Sequence, residues 1–372
     1  MATLLLVGGG RRRRRAVERA RARGLAVVES DEPDAPAGVL GLADGRAAAA
    51  ATAAELGLPG IGREALHLTQ NKIAMRRRLA DVGVRQPAFA AARSIHEGHA
   101  ALAAVGVPAV LKPADGRRQR GVFRLDSADD LDAHLHRALV ESAAGEAIVE
   151  SFHAGLELNV VAVARGAEVA TLTVSDRRRP GGPGFAAATA HVFPTALFGD
   201  VLDESDRVVG HAARALELRD TLLLAQVLVS EDGVRVVDVE AGFPGGELDR
   251  LAEHGAGIDL LEVALRQALG EDVPDWLIAP ADEQRPVAVR FLTAEPGPLP
   301  VGRVRGVGTL AKVLAFPGVV EAEVDLEPGD RIGPLRSGDD RYGYVLTVAD
   351  TNLEALERAE AAARLVDVLV EP

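Results

Sequence analysis

Two pairs of apolar runs, each joined by a turn too short to hold a helix, constrain this chain more than any other feature. Residues 156–164 and 168–174 meet at Gly166, and residues 222–229 and 234–240 meet at Ser230-Glu231-Asp232-Gly233. Asp-Gly between apolar runs is a hairpin signal, so both pairs read as adjacent strands of a sheet. Further strand-like runs at 109–112, 121–125 and 147–152 are interleaved with a helical pattern at 128–142, and another helix is expected at 205–218. Residues 2–7, an Arg-rich stretch and Gly24-Leu25-Ala26-Val27-Val28-Glu29 read as one βαβ unit. An alanine-rich helix follows at 46–56, and a helix with one buried stripe (Ile73, Met75, Leu79, Val82) at 71–82, closed by Gly83. The sequence therefore points to an α/β protein. Its 372 residues, at about 150 per domain, give two or three domains. Asp31 to Gly38 reads as loop, and 176–184, with three arginines and several prolines and glycines, reads as a loop that cannot bury itself. Residues 274–286 look like a boundary; beyond them come short strands up to 344–348 and a last helix at 353–365.

Composition removes several classes of function. Hydrophobic residues at 48% and charged residues at 26% exclude general disorder. No apolar run reaches the roughly 18–20 residues that span a bilayer, and the first seven residues lack the basic start of a secretory signal, so a cytoplasmic protein without a membrane partner is expected. The absence of cysteine excludes disulfides, thiolate metal sites and thiol nucleophiles. A net charge of −13 argues against nucleic acid as the main partner. Of 42 basic residues only Lys72, Lys112 and Lys312 are lysine. A lysine is a compact point charge where arginine is a planar fork, so its rare positions are informative.

Three constellations can carry chemistry. Gly8-Gly9-Gly10 follows a strand, but the third glycine of a G-x-G-x-x-G turn is replaced by Arg13, and a tight turn alone explains the glycines. The Arg11–Arg15 run opposes the helix dipole, so it either faces solvent, the preferred reading, or meets an anion. Next, Val110-Leu111-Lys112-Pro113-Ala114-Asp115-Gly116 and Arg117-Arg118-Gln119-Arg120-Gly121-Val122 form a strand that ends in lysine and a cation-rich loop bounded by glycine. Such a loop can place an ammonium and backbone N–H groups on polyphosphate oxygens. Finally, Asp238 and Glu240 share one strand face with Gln226 opposite them, a set of hard oxygen donors suited to magnesium or an exposed acidic face.

Over most of its length the chain resembles the ATP-grasp ligases. Asn71-Lys72 with Met75-Arg76, Gly83-Val84 and Pro87-Ala88-Phe89 is similar to the segment leading into the family's nucleotide domain. Val110-Leu111-Lys112-Pro113 is similar to its phosphate-loop strand, and Glu150-Ser151-Phe152 through Gly155-Leu156-Glu157 to its adenine hinge. Asp238-Val239-Glu240-Ala241-Gly242-Phe243-Pro244-Gly245-Gly246 resembles its metal-binding strand. Pro317-Gly318-Val319, Pro328-Gly329-Asp330 and Arg341-Tyr342-Gly343-Tyr344-Val345 resemble the C-terminal domain of the biotin-carboxylase-like and L-amino-acid-ligase branch. The resemblance implies a βαβ domain at 1–70, an ATP-grasp domain at 71–285 with α+β lobes and a mobile lid at about 105–152, and a mixed C-terminal domain at 286–372.

It further implies ATP and Mg²⁺ as cofactors. Lys72 and Lys112 would meet the phosphates, Glu150 and Phe152 the adenine, Glu157 the ribose, and Gln226, Asp238 and Glu240 the metal, where the family usually has Glu, Glu and Asn. Gly242 stands where the family commonly has an arginine, which places the compensating charge on Arg117, Arg118, Arg120 or Arg290. Arg177–Arg179 and His191 fall beside the acyl substrate, His191 being equally explicable as an ordinary polar residue. The implied reaction joins a small carboxylate to an amine through an acyl phosphate, and a homodimer is expected by analogy. A degenerate ATP-grasp protein that binds nucleotide without chemistry is the alternative, and phosphorylation of bicarbonate a third reading.

Overall fold

The computed structural model describes residues 2–9, 12–28, 36–181 and 185–371. Gly10, Arg11, most of the 31–38 loop and Gly182-Pro183-Gly184 lie outside the described residues. Three parallel strands, in the order Ala26–Val28, Thr3–Val7, Gly38–Gly41, make an N-terminal sheet with helix Arg12–Ala22 as the crossover. A four-stranded antiparallel sheet orders Phe89–Ala92, Ala147–Ser151, Ala109–Pro113 and Phe123–Leu125. The largest sheet has eight strands and begins with the two expected hairpins, Gly233–Ala241 with Thr221–Ser230 and Leu156–Arg165 with Glu168–Arg178. It continues through Ala190–Phe193, Val287–Phe291, Gly343–Val348 and Val319–Val324. One continuous sheet thus crosses residue 286. Gly302–Val307, Arg331–Ile332 and Val368–Glu371 form a separate three-stranded sheet.

Both faces of the large sheet are covered, so period-2 alternation sorts its residues between two cores. Leu158, Val160, Ala162 and Ala164 pack with Val209, Ala212 and Ala213 of helix Asp200–Ala215, while Val161 and Val163 face a core containing Val263 and Ala264 of helix Leu260–Ala268. On the second face the polarity changes along the strand, since Glu157 and Asn159 precede Val161 and line an open cleft. Strand Gly233–Ala241 achieves the same division through an irregularity. Gln226 pairs with Asp238 but Val227 pairs with Val236, leaving Val237 as the extra residue of a β-bulge. Val234 and Val236 before the bulge, and Val239 and Ala241 after it, all reach the core, while Asp238 and Glu240 reach the cleft. An unbroken alternation would have put Val234, Val236, Asp238 and Glu240 on one face.

Two sequence expectations are corrected. Residues 176–178 are strand, paired with Ala190–Val192, and Arg177 is buried because Glu157 on the adjacent strand neutralises it at 2.5 Å. Paired charge removes the penalty that made this segment look unable to bury itself. Nor does the arginine-rich helix present a simple solvated face. Arg12 and Arg15 pair with Asp249 at 3.3 and 2.7 Å, Arg19 with Asp259, and Arg23 with Glu262 at 3.4 Å and with Glu271. These positions recur at three or four residues, so one helix stripe engages acids spread over residues 249–271.

Deleting Val237 should rejoin the alternation and drive two carboxylates toward the core. The expected result is loss of the cooperative thermal transition, while Val237→Ala keeps it; circular dichroism melts of both variants check this.

Candidate active site

The cleft occupies about 560 Å³ and draws its walls from the turns and helices that follow the N-terminal strands, from the four-stranded sheet and from the large sheet. Asn71 starts one wall. Its side-chain oxygen accepts from Ala74 N at 3.0 Å, an N-cap worth about 1 kcal/mol, and this fixes Lys72 as the first residue of helix Lys72–Asp81. The Lys72 backbone N–H then donates to Ala114 O at 2.7 Å and its Nζ to Gly116 O at 2.8 Å, both on the loop after strand Ala109–Pro113. Lys112, at the end of that strand, reaches Glu150 Oε2 at 2.7 Å. Both lysines line the same cleft.

Glu150 is 2% exposed and Arg76, on the helix that Lys72 begins, is 0% exposed. Arg76 donates Nε to Glu150 Oε1 at 2.7 Å, Nη1 to Val236 O at 3.3 Å and Nη2 to Val237 O. One guanidinium therefore joins the four-stranded sheet to the bulge of the large sheet. Burial would raise the Glu150 carboxyl, but Arg76 and Lys112 outweigh it and hold it at about 2.

Gln226, Asp238 and Glu240 all line the cleft. Among the described residues no three His, Cys, Asp or Glu form a metal-binding group, so a metal here needs the Gln226 amide beside the two carboxylates. Oxygen donors of this kind fit magnesium. Glu240 is already held by Arg46 Nη2 at 2.7 Å, and although burial raises its carboxyl, Arg46, Lys72 and Arg117 bring it below the ordinary value. Glu157 takes Arg177 at 2.5 Å and Arg179 at 2.9 Å. Phe152 also lines the cleft, with the Arg124 guanidinium 4.3 Å from its ring centre.

At the other end of the cleft lie His191, Phe291 and Arg341. Asn159 Nδ2 donates to His191 Nδ1 at 3.0 Å, which leaves the imidazole hydrogen on Nε2. Burial, together with Arg341 and Arg177, pushes His191 well below its usual 6.5, so the ring is neutral. Arg341 lies 4.2 Å over the Phe291 ring and donates Nε to Ala188 O at 3.0 Å.

Two expected residues stay away from this cleft. Arg120 is about half exposed and sits 3.6 Å from Glu141 and 3.7 Å from Asp339. Arg290 donates to the carbonyls of Thr189 and Phe291, and among ionisable groups it feels Glu360 and Arg364. Side chains alternate along strand Val287–Phe291, so Arg290 points opposite to Phe291 and away from the cleft. Arg117 and Arg118 do line it, joined by Arg12, Arg46 and Arg341. The arginine stem nearest Gly242 is that of Arg46: a Cβ at 242 would meet Arg46 Cδ at 3.2 Å. Sequence reasoning had no local signal for Arg46 in an alanine-rich helix, whereas Arg76 and Arg341 stood inside recognised motifs without an assigned role.

Replacing Arg76 by methionine leaves Glu150 with Lys112 alone and two bulge carbonyls without their Arg76 donor, and should cost about 3–5 kcal/mol in urea unfolding. The lowered Glu150 pKa contributes stability above its ordinary value of 4.5 that is lost as pH falls toward 2. In Glu150→Gln that part of the pH slope should vanish, as measured by unfolding between pH 5 and 3.

Residues 290–371 match the family model described as L-amino acid ligase C-terminal domain 2. The chain is 28% identical over 321 residues to the uncharacterized protein y4rH of Sinorhizobium fredii, covering 85% of this chain and 64% of that protein, so it spans less than two thirds of that relative's length. It is 30% identical over 229 residues to the D-alanine–D-alanine ligase of Gloeobacter violaceus, covering 57% of this chain and 72% of that enzyme. The crystal structure of L-amino acid ligase from Bacillus licheniformis superposes with a TM-score of 0.81 at 18% identity, covering 100% of this chain and 99% of the other. That likeness shows the ATP-grasp fold, and the D-alanine–D-alanine ligase match extends it to descent: the chain belongs to the ATP-grasp carboxylate–amine ligase family, in the branch with the L-amino acid ligase C-terminal domain.

Proposed function

We propose that the protein is an ADP-forming ligase that uses ATP to join an amino acid or small carboxylic acid to an amine. The carrying observation is that Lys72 and Lys112, two of only three lysines, line one cleft with Gln226, Asp238 and Glu240. In this reading residues 71–285 are the nucleotide-binding domain, with a lid at about 105–152 between the domains at 1–70 and 286–372.

A substrate carboxylate oxygen attacks the γ-phosphorus of ATP, the bond to the β–γ bridging oxygen breaks, and ADP leaves. The amine then attacks the acyl phosphate carbon; the C–N bond forms, phosphate departs and the amine gives up a proton. Little covalent work falls to the protein, so positioning and charge neutralisation dominate. Lys72 and Lys112 place ammonium groups on the phosphates, and the strand ending at Glu150-Ser151, with Phe152, receives the adenine. Glu150 acts by holding Lys112 in place, since its own carboxylate is spent on Arg76 and Lys112. Glu157, already paired with Arg177 and Arg179, offers the ribose a carboxylate of fixed orientation. Gln226, Asp238 and Glu240 would hold Mg²⁺, whose bound charge would neutralise phosphate oxygens. Neutral His191 supplies an Nε2–H donor rather than a base, a role suited to charge developing on an acyl oxygen.

ATP turnover assayed against panels of amino acids and small acids tests this reading. ADP should appear with particular acid–amine pairs, and Lys112→Ala should lower kcat/KM by at least about 100-fold. Nucleotide that raises the melting temperature without ADP formation in any pairing would instead support the nucleotide-binding alternative.

A further inference from the structure

The turn between strand Gly38–Gly41 and helix Arg46–Glu55 reaches the cleft in two directions. Asp44 lies 3.5 Å from Arg118 of the loop after Lys112, and Arg46 Nη2 donates to Glu240 Oε2 at 2.7 Å, from 194 residues away in the chain. Backbone contact fixes where Arg46 starts, since a Cβ at Gly41 would lie 2.7 Å from Arg46 Cα. On the opposite side Gly242, at a φ of 92°, leaves room for the stem: a Cβ there would meet Arg46 Cδ at 3.2 Å.

Arg46 is not a rivet of the kind that Arg76 forms. The Arg76 and Glu150 side chains are 0% and 2% exposed, and every nitrogen of that guanidinium has an acceptor. The Arg46 and Glu240 side chains are 21% and 32% exposed. Beyond the carboxylate, Arg46 Nη1 reaches only the carbonyls of Ala241 and Phe243, at 3.5 and 3.4 Å, and among the described residues its Nε has no acceptor. One strong bond at the edge of an open cleft can be exchanged for another, whereas an enclosed and fully satisfied set cannot.

That bond also occupies an oxygen of the three-donor set. Asp238 has no ion pair among the described residues, its Oδ1 accepting from Val239 N at 3.1 Å, and Gln226 is neutral. Burial opposes the charge on Glu240, and Arg46, Lys72 and Arg117 outweigh it. Two carboxylates facing three cations leave this end of the cleft positive, so a divalent ion arriving alone meets repulsion. A nucleotide reverses the balance, because its phosphates bring more negative charge than the ion adds.

We propose that Arg46 is a displaceable counter-cation. It holds Glu240 while the cleft is empty, yields that carboxylate to the divalent ion that arrives with the nucleotide, and turns its fork onto the terminal phosphoryl oxygens. This deepens the ligase reading above and rests on it for the nucleotide. Metal ions in phosphoryl transfer bridge the last two phosphates, so a guanidinium that leaves Glu240 for an oxygen sharing its metal moves onto those phosphates. A planar fork suits phosphate as well as carboxylate. The N-terminal layer thereby lends a group to the reacting end, and the empty cleft is kept from filling with bare metal.

Two binding measurements on the full chain test this. Mn²⁺ alone is titrated with the free ion counted by electron paramagnetic resonance, and β,γ-methylene ATP and ADP are each titrated in the presence of Mn²⁺. Arg46→Met should bind Mn²⁺ alone about 10-fold more tightly than wild type, and adding Glu240→Gln should remove that gain. Arg46→Met should also lower the preference for the triphosphate analogue over ADP by about 10-fold. A side chain that merely ties two layers together moves neither quantity, or weakens both. Should Arg46→Met lose its cooperative thermal transition, Arg46→Lys, which keeps a cation without the fork, should show smaller shifts in the same two directions. Unchanged or weaker Mn²⁺ binding overturns the proposal, as does an unchanged triphosphate preference. The two expected shifts without ADP formation in any acid–amine pairing would leave the role of Arg46 standing and count against the ligase reading alone. Turnover in wild type with unshifted binding in the variants would do the reverse.

Discussion

Arg76 ties together three parts of this molecule: the helix that carries it, the four-stranded sheet and the large sheet. Its guanidinium is wholly enclosed, yet every direction it points has an acceptor: the Glu150 carboxylate in the four-stranded sheet, and the carbonyls of Val236 and Val237 in the large sheet. A buried ion pair is costly to assemble because both groups leave water, and it becomes tolerable only when the remaining donors and acceptors are also satisfied. Here that requirement works as a specification of geometry. The two sheets can approach only where the bulge turns its carbonyls toward the helix and where Glu150 can reach Lys112. The spacing of the cleft follows from those contacts.

The bulge shows how such a site is written into a strand. Val234 and Val236 run in one phase, Val239 and Ala241 in the other, and Val237 absorbs the change. Asp238 and Glu240 owe their outward aim to that single extra residue. The Leu156–Arg165 strand needs no such device, because its polar residues Glu157 and Asn159 share a face with Val161 and Val163 and simply occupy the end that opens to the cleft.

The hairpins, the N-terminal βαβ unit and the lysine positions were legible because each depends on local pattern: turn residues, alternation, or a rare residue in a recognised motif. Strand Phe89–Ala92 and helix Ile95–Val105 were not foreseen, although Ser94 and Glu97 carry the spacing of a helix start, with Ser94 Oγ accepting from Glu97 N at 3.2 Å. The arginines resisted reading for another reason. In a chain where arginine is the ordinary cation, its identity does not distinguish a surface pair from a site. Arg290 and Arg341, both beside glycine- or aromatic-rich strands, differ only in which face the fold gives them. Arg177 looked like loop because its partner, Glu157, is twenty residues away in sequence and adjacent only through strand pairing.

The stripe of Arg12, Arg15, Arg19 and Arg23 against Asp249, Asp259, Glu262 and Glu271 has one more implication. Each rivet of this seam joins residues more than 230 positions apart in the chain. The N-terminal layer is therefore fastened to the segment that follows the cleft's glycine turn by the longest-range ties that this chain makes along one helix stripe, and it can be seated only once that distant segment has been built.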